Sequence, residues 1–396
     1  MISSVLPTYN RAPLAFVRGA GSWLETADGS RYLDLGAGIA VNALGHAHPA
    51  LVQALTDQAA RLWHVSNVYT IPEQERLADL LVAATFADRV FFTNSGTEAA
   101  ELAIKMARKF HHDGGQPDRT QIIAFEGAFH GRSTGAIAAA GSEKLVRGFG
   151  PLMPGFVQLK WPATEADHDA IRAAITPQTC AVLIEPIQGE GGIRAVPDQC
   201  LKGLRDLCDS TGTLLIFDEV QCGMGRTGRL FAHEWAGIAP DIMLVAKGIG
   251  GGFPLGAVLA TERAASGMTA GTHGSTYGGN PLACAVGARV TEIIADPAFL
   301  AEVARKGALL RQGLESLVAR HPQVFEAVRG EGLMLGLKCR RAPGEVVTAG
   351  HAAGVLTVAA SDNVLRLLPA LNIPNADIAE ALSRLDRAAS SLTQAA

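Results

Sequence analysis

Hydrophobic spacing along the chain changes period several times, and those changes divide it into stretches of different character. Residues 14–35 read as short strands broken by turn residues, with Asp28-Gly29 as a hairpin turn. From His48-Pro49 the apolar positions of PALVQALTDQAARLWH fall at helical spacing. Strands and helices then alternate. RVFFT (89–93) precedes the helical TEAAELAIKMARKF, and QIIAFEG (121–127), CAVLIEP (180–186), TLLIFDE (213–219) and DIMLVA (241–246) follow as further strands. Several of these are unbroken apolar runs, as strands covered by helices on both faces require, so the prediction is an α/β fold with a mainly parallel central sheet. From residue 288 a long helical stretch leads away, split at Pro297, which cannot continue a helix. GLMLGLKC, GVLTVAA and NVLRLLPA read as short strands, and a capped final helix starts from Asp377. The expected division is an N-terminal arm with small strands (1–47), a large domain (48–287) and a smaller α/β C-terminal domain (288–396).

A chain of 396 residues has the length of two or three domains, and 48% hydrophobic residues with 44 glycines suit a globular α/β enzyme. The net charge of −4, with Lys and Arg scattered, gives no polyanion-binding face, so no nucleic-acid partner is expected. Cysteines 180, 200, 208, 222, 284 and 339 form no CxxC pair and no zinc spacing, so they read as reduced thiols and no metal is expected. MISSVLPTYNR has no basic segment followed by an apolar one, and no apolar run is long enough to span a bilayer. A cytoplasmic protein without membrane association is the expectation.

Candidate chemistry gathers at strand ends. Lys247 closes the run in DIMLVAKGIGGG, and Asp218 closes another in TLLIFDEVQ. A lysine delivered into a glycine-rich turn by a buried strand is desolvated, which frees an amine for Schiff-base formation. A similarly delivered aspartate can hold a pyridinium nitrogen, and the two together are the protein's part of pyridoxal-phosphate chemistry. Taken singly, each residue also reads as the polar end of a strand. Asn94-Ser95-Gly96-Thr97 ends one strand and opens a helix, a place suited to an anion and equally to a simple N-cap. Gly223 to Gly228, GMGRTG, matches the dinucleotide pattern GxGxxG, but DEVQ precedes it and no helical opening follows, so a nicotinamide-dependent oxidoreductase is the lesser alternative. In AFHGR, His130 reads as a turn histidine, Phe129 offers a flat face to a ring, and Arg132 can clamp a carboxylate. His46 and His48 lack a supporting cluster and read as turn or cap residues. Arg366, flanked by leucines in NVLRLLPALN, needs an anionic partner, either internal or a substrate carboxylate. Glu190 in EPIQGEGG can pair with such an arginine when substrate is absent.

FFTNSGTEAAELAIKMAR, AFHGRS, IEPIQGEGG, LLIFDEVQCGMGRTG, VAKGIGGGFPLGAV, THGSTYGGNPLACA and LRLLPALNI together resemble the class III (subgroup II) pyridoxal-phosphate aminotransferases of fold type I, in family order and over most of the chain. The resemblance implies pyridoxal 5′-phosphate as cofactor, with Lys247 as the internal aldimine and proton shuttle and Asp218 on the pyridine nitrogen. It implies Gln221 on the phenolic oxygen, Val220 beneath the ring and Phe129 above it. Gly96 and Thr97 would bind the phosphate, joined by Thr276 of a neighbouring subunit, so a homodimer with shared active sites is expected. Arg366 would take the α-carboxylate of glutamate. Arg132 would take its side-chain carboxylate, or the α-carboxylate of an N-acylated donor that Ser275 also touches. Glu190 would cover Arg366 whenever that site needs no carboxylate.

YLDLGAGIAVNALGHAHP resembles the members acting on acetylornithine, which implies ping-pong transfer of the terminal amino group of N2-acetylornithine to 2-oxoglutarate, giving N-acetylglutamate 5-semialdehyde and glutamate, as in arginine biosynthesis. Members that take free ornithine carry a tyrosine before AVN, where this chain has Gly38-Ile39-Ala40. A small apolar position suits an acylated amine, because a charged one would be left without a partner. Succinylornithine, ornithine and 4-aminobutyrate remain alternative donors, with succinyldiaminopimelate as a second substrate. A non-catalytic binding protein is disfavoured by the presence of the lysine, the aspartate and both arginines.

Overall fold

Burial on both faces explains the unbroken apolar runs. In a computed structural model describing residues 4–164 and 167–394, seven strands form the central sheet in the order Arg89–Thr93, Gly256–Ala260, Ile242–Val245, Leu214–Asp218, Thr179–Ile184, Gln121–Phe125 and Phe156–Leu159. Every residue of Thr179–Ile184, Leu214–Asp218 and Ile242–Val245 is buried. Side chains alternate between the faces. Leu214, Ile216, Ile122 and Leu244 pack with Ala99, Ala103 and Ala107 of helix Gly96–Asp113. Leu215, Phe217, Ile123 and Val182 pack with Leu201, Leu204 and Leu207 of helix Asp198–Thr211 on the other face.

The expected parallel sheet is present with one exception. Gly256–Ala260 runs antiparallel to both of its neighbours. That strand and the edge strand Phe156–Leu159 were not anticipated, since the first begins inside a glycine-rich stretch and the second is only partly buried.

Pro297 does separate two helices, Pro281–Ile294 and Pro297–Arg320, and Asp296 caps the second by accepting from the Ala298 amide. However, helix Pro281–Ile294 runs unbroken through the boundary expected at 287–288. Its buried Val286, Val290 and Ile294 pack with Leu51, Leu77 and Leu81 of helices Pro49–Ala59 and Pro72–Ala84, so it belongs with the large layer. The N-terminal strands Phe16–Ala20, Trp23–Thr26 and Arg31–Asp34 are joined by Val355–Leu356, which pairs in parallel with Arg31–Asp34. A second antiparallel sheet, Phe325–Glu331, Met334–Cys339, Val364–Leu367 and Val358–Ala360 in that order, places Arg366 on an inner strand. The final helix spans Asn375–Gln394.

All six cysteines are buried, and burial pushes the thiols of Cys180, Cys208 and Cys284 up to about 12. Among the described residues no helix is long and apolar enough to cross a membrane, and no His/Cys/Asp/Glu group could hold a metal ion.

Helix Pro297–Arg320 lies so close to the turn at Gly332 that a Cβ on Gly307 would stand 2.6 Å from the Gly332 carbonyl carbon. Gly307→Ala should therefore destabilise by about 1–3 kcal/mol through overpacking, although alanine is the better helix former. Gly344, with no atom within 4 Å of its virtual Cβ, is the control. Thermal unfolding should show a lower midpoint for Gly307→Ala and no decrease for Gly344→Ala; equal midpoints would refute the packing argument.

Candidate active site

Ligands of open α/β sheets bind beyond the carboxyl ends of the strands, and a cavity of about 410 Å³ lies there. Its walls come from segments far apart in sequence: Val41, Asn94 to Thr97, Phe129 to Arg132, Glu185, Glu190, Asp218, Val220, Gln221, Lys247 and Gly252 to Leu255.

Lys247 follows strand Ile242–Val245 and opens a single 3-10 turn, Lys247–Gly250. Its φ is +48°, a left-handed conformation that L side chains adopt only under constraint. Burial lowers the pKa of its ammonium below the ordinary lysine value, and the nearby charge of Arg366 adds to this, against Asp218, Glu190 and Glu185. Asp218 ends the adjacent strand. Its Oδ1 accepts from the Val220 amide at 3.0 Å, and its Oδ2 stands 2.7 Å from Nδ1 of the buried His130. Burial alone would lower the His130 imidazole, but the hydrogen bond and charge of Asp218, with Glu185 beyond, raise it above its ordinary value. An imidazole backing the carboxylate fixes its orientation toward the cavity. His130 is therefore no isolated turn residue.

Also on the cavity wall, Ser95 caps helix Gly96–Asp113, accepting from the Glu98 amide at 3.4 Å. The amides of Gly96 and Thr97 belong to the first turn, whose N–H groups have no intrahelical acceptor and favour an anion. A Cβ at Gly96 would fall 2.9 Å from Val220 Cγ1, so only glycine lets the helix start come this close. Thr97 Oγ1 accepts from the amides of Arg132 and Ser133, each at 3.1 Å, and ties the arginine loop to the helix start. Cap and anion site coexist, as the sequence allows. Phe129 and Val220 line the cavity too, and the Arg132 guanidinium lies 5.6 Å from the Phe129 ring centroid. Glu185, unmarked in the sequence, accepts from the Phe129 amide at 3.2 Å and the Gly189 amide at 3.4 Å, and burial raises its pKa.

Arg366 is 1% exposed and has an internal partner: its Nη1 lies 2.7 Å from Glu190 Oε1 and donates to Gln221 Oε1 at 3.2 Å. It does not line the cavity itself. Glu190 and Gln221, which do, stand over it. Its buried Nε has no partner among the described residues. Ser275 and Thr276 are not brought to the cavity wall either. Ser275 Oγ accepts from the Gly278 amide at 2.9 Å and lies 3.4 Å from Asn94 Nδ2, while Thr276 is exposed. His46 takes the turn role expected of it, with Nε2 2.8 Å from Asp34 Oδ2, whereas His48 makes no side-chain cap hydrogen bond. Gly223 to Gly228 lies away from the cavity and opens no α-helix, only a 3-10 turn at Ala232–Trp235, which removes the dinucleotide reading.

The donor set fits pyridoxal phosphate: an amine with lowered pKa, a carboxylate fixed by two hydrogen bonds, a flat slot and an anion-binding helix start. Comparison with known proteins agrees. The family model for class III aminotransferases matches residues 6–389. The acetylornithine aminotransferase of Rhodobacter capsulatus is 71% identical over 99% of both chains. The crystal structure of N-acetylornithine aminotransferase from Stenotrophomonas maltophilia superposes with a TM-score of 0.86 at 39% identity, covering 98% of each chain. The ornithine aminotransferase of Toxoplasma gondii gives 0.94 at 30% identity, covering 99% of this chain and 94% of the other. With the match spanning nearly every residue and the cavity equipped for the cofactor, the chain belongs to the class III aminotransferases, pyridoxal 5′-phosphate enzymes of fold type I.

Proposed function

We propose that this aminotransferase moves the terminal amino group of N2-acetylornithine to 2-oxoglutarate. The observation that carries the reading is the covered Arg366: a buried guanidinium held by Glu190, which lines the same cavity as Arg132. When glutamate or 2-oxoglutarate reacts, its α-carboxylate replaces Glu190 on Arg366 and its second carboxylate meets Arg132. When the terminal amine of acetylornithine reacts, no carboxylate stands beside that amine, so Glu190 stays and Arg132 takes the distant α-carboxylate. One cavity thereby serves both half-reactions. From the 38–42 segment the cavity wall takes Val41, an apolar side chain that cannot pair with a free α-ammonium.

Bound pyridoxal phosphate supplies the carbonyl that accepts the amino group and an electron-withdrawing ring. Gly96, Thr97 and the helix start would hold its phosphate, Asp218 its ring nitrogen and Gln221 its phenolic oxygen, with Val220 and Phe129 on the two faces. Lys247 Nζ would take the proton from the substrate carbon bearing the amine and deliver it to the cofactor carbon on the far side of the nitrogen. Its lowered pKa keeps a larger share of that nitrogen unprotonated near neutrality.

A second copy of the chain would complete the site. Trp63, Val68, Tyr69 and Tyr277 are each 62–80% exposed beside the 275–278 segment, to which Asn67 Nδ2 donates at Ser275 O and Gly278 O, both at 3.0 Å. An apolar patch of this kind marks a protein interface. In a twofold dimer it would carry Thr276 to the partner's phosphate end and Ser275 toward the donor.

Stopped-flow absorbance of the cofactor-loaded enzyme without keto acid tests the donor. N2-acetylornithine should deplete the visible band at least about tenfold faster than ornithine or 4-aminobutyrate, and Lys247→Ala should abolish the depletion. A faster response to either rival would replace the donor. Glu190→Gln should slow the acetylornithine half-reaction roughly tenfold or more, since it leaves Arg366 charged and uncovered, while the 2-oxoglutarate half changes little. Equal slowing of both halves would contradict the gate. Sedimentation of the loaded enzyme should give a dimer, weakened by Trp63→Glu; an active monomer would remove Thr276 and Ser275 from the site.

A further inference from the structure

The GMGRTG stretch binds no dinucleotide, and packing accounts for its glycines. A Cβ on Gly223 would meet Glu219 O at 2.7 Å, and Gly225 and Gly228 have φ of +82° and +87° with Ile294 and Ala304 against them at 2.7 and 2.9 Å. The loop is a wedge between the end of strand Leu214–Asp218, helix Pro297–Arg320 and the second sheet. Its centre is Arg226. This side chain is 2% exposed and forms no ion pair among the described residues. Its acceptors are carbonyls: Nη1 donates to Pro369 O and, at 3.4 Å, to Leu333 O, while the Arg226 carbonyl accepts from the Leu333 amide at 3.0 Å. A buried cation without a counter-charge is expensive, and burial pushes Arg226 down to about 9.

What the guanidinium joins gives it a role. Its loop begins with Asp218 and Gln221, and Pro369 lies three residues beyond Arg366. Gln221 and Arg366 already meet at 3.2 Å. Arg226 to Pro369 is thus a second rung between the same two segments. We propose that Arg226 is a positioning residue for Arg366, fixing the end of strand Val364–Leu367 against the Gln221 loop and so setting where the Arg366 guanidinium stands. This rests on the reading of Arg366 as the carboxylate binder. The amine at Lys247 and the helix start at Gly96 and Thr97 lie outside the bracket.

Arg226→Lys keeps a charge and hydrogen-bond donors but not the planar guanidinium that places Nη1 between Pro369 O and Leu333 O; Arg226→Met loses charge and donors. In the cofactor-loaded enzyme Arg226→Lys should raise KM for 2-oxoglutarate about fivefold, the worth of one hydrogen bond, and Arg226→Met should raise it further. The visible spectrum and cofactor retention should match wild type, and kcat should change by less than about twofold. In an Arg366→Lys background, Arg226→Lys should add little, because both substitutions act through one guanidinium. An unchanged KM with a lowered melting temperature, an equal KM increase in both backgrounds, or loss of soluble protein in both Arg226 variants would assign Arg226 to stability alone and overturn the inference. Arg366→Lys with an unchanged KM for 2-oxoglutarate would instead withdraw the Arg366 reading, and this inference with it.

Discussion

Desolvation of Lys247 is the interaction on which the site depends. Strand Ile242–Val245 is buried throughout and delivers the amine directly into protein, where the charged form is penalised. The same burial would make any neighbouring charge costly, so the surrounding groups are arranged in opposed pairs: Asp218 with His130, and Arg366 with Glu190. Asp218, His130 and Glu190 all line the cavity, and Arg366 is buried behind Glu190. Lys247 stands between them, pulled in one direction by Arg366 and in the other by the carboxylates. The left-handed backbone at Lys247 belongs to the same arrangement, since it turns the chain sharply after the strand and leaves the side chain at the floor.

Close approach is the second constraint. The helix that would receive a phosphate meets Val220 across a gap that has no room for a Cβ at Gly96. A Cβ at Gly131 would lie 2.2 Å from Thr97 Oγ1, the oxygen that receives the Arg132 and Ser133 amides. These glycines let the helix start, the Val220 segment and the Arg132 loop line one cavity. The glycines of GMGRTG do the same work elsewhere, seating a wedge instead of opening a phosphate loop. Identical glycine spacing thus serves two physical ends, and the next element in the chain, an α-helix or a 3-10 turn, separates them.

Glu185 binds the site together from behind. One buried carboxylate accepts from the amides of Phe129 and Gly189, so the loop offering a flat face to the ring and the loop carrying Glu190 share an anchor. Its raised pKa comes from burial next to Asp218, which His130 only partly offsets. The loop that carries Glu190 is therefore anchored next to the segment that carries Phe129.

The sequence by itself determined the central strands, the helix start at Gly96, and Lys247 and Asp218 as a pair of strand-end groups, because full burial writes itself as unbroken apolar runs and a polar residue closing such a run has few innocuous explanations. Family motifs in order then pointed to the cofactor. Strand direction was beyond its reach: Gly256–Ala260 runs against its neighbours, and hydropathy is the same for either direction. Helix Pro281–Ile294 crosses positions 287–288, and helical spacing does not say which layer a helix covers. His130, Glu185 and Arg226 were decided by the tertiary structure alone. Their partners lie 88, 56 and 143 residues away in sequence, and one histidine, glutamate or arginine looks the same in a string whether it backs a catalytic carboxylate or faces water. Local physics fixes an element's identity, whereas only folding brings distant side chains close enough for charge and hydrogen bonding to give them work.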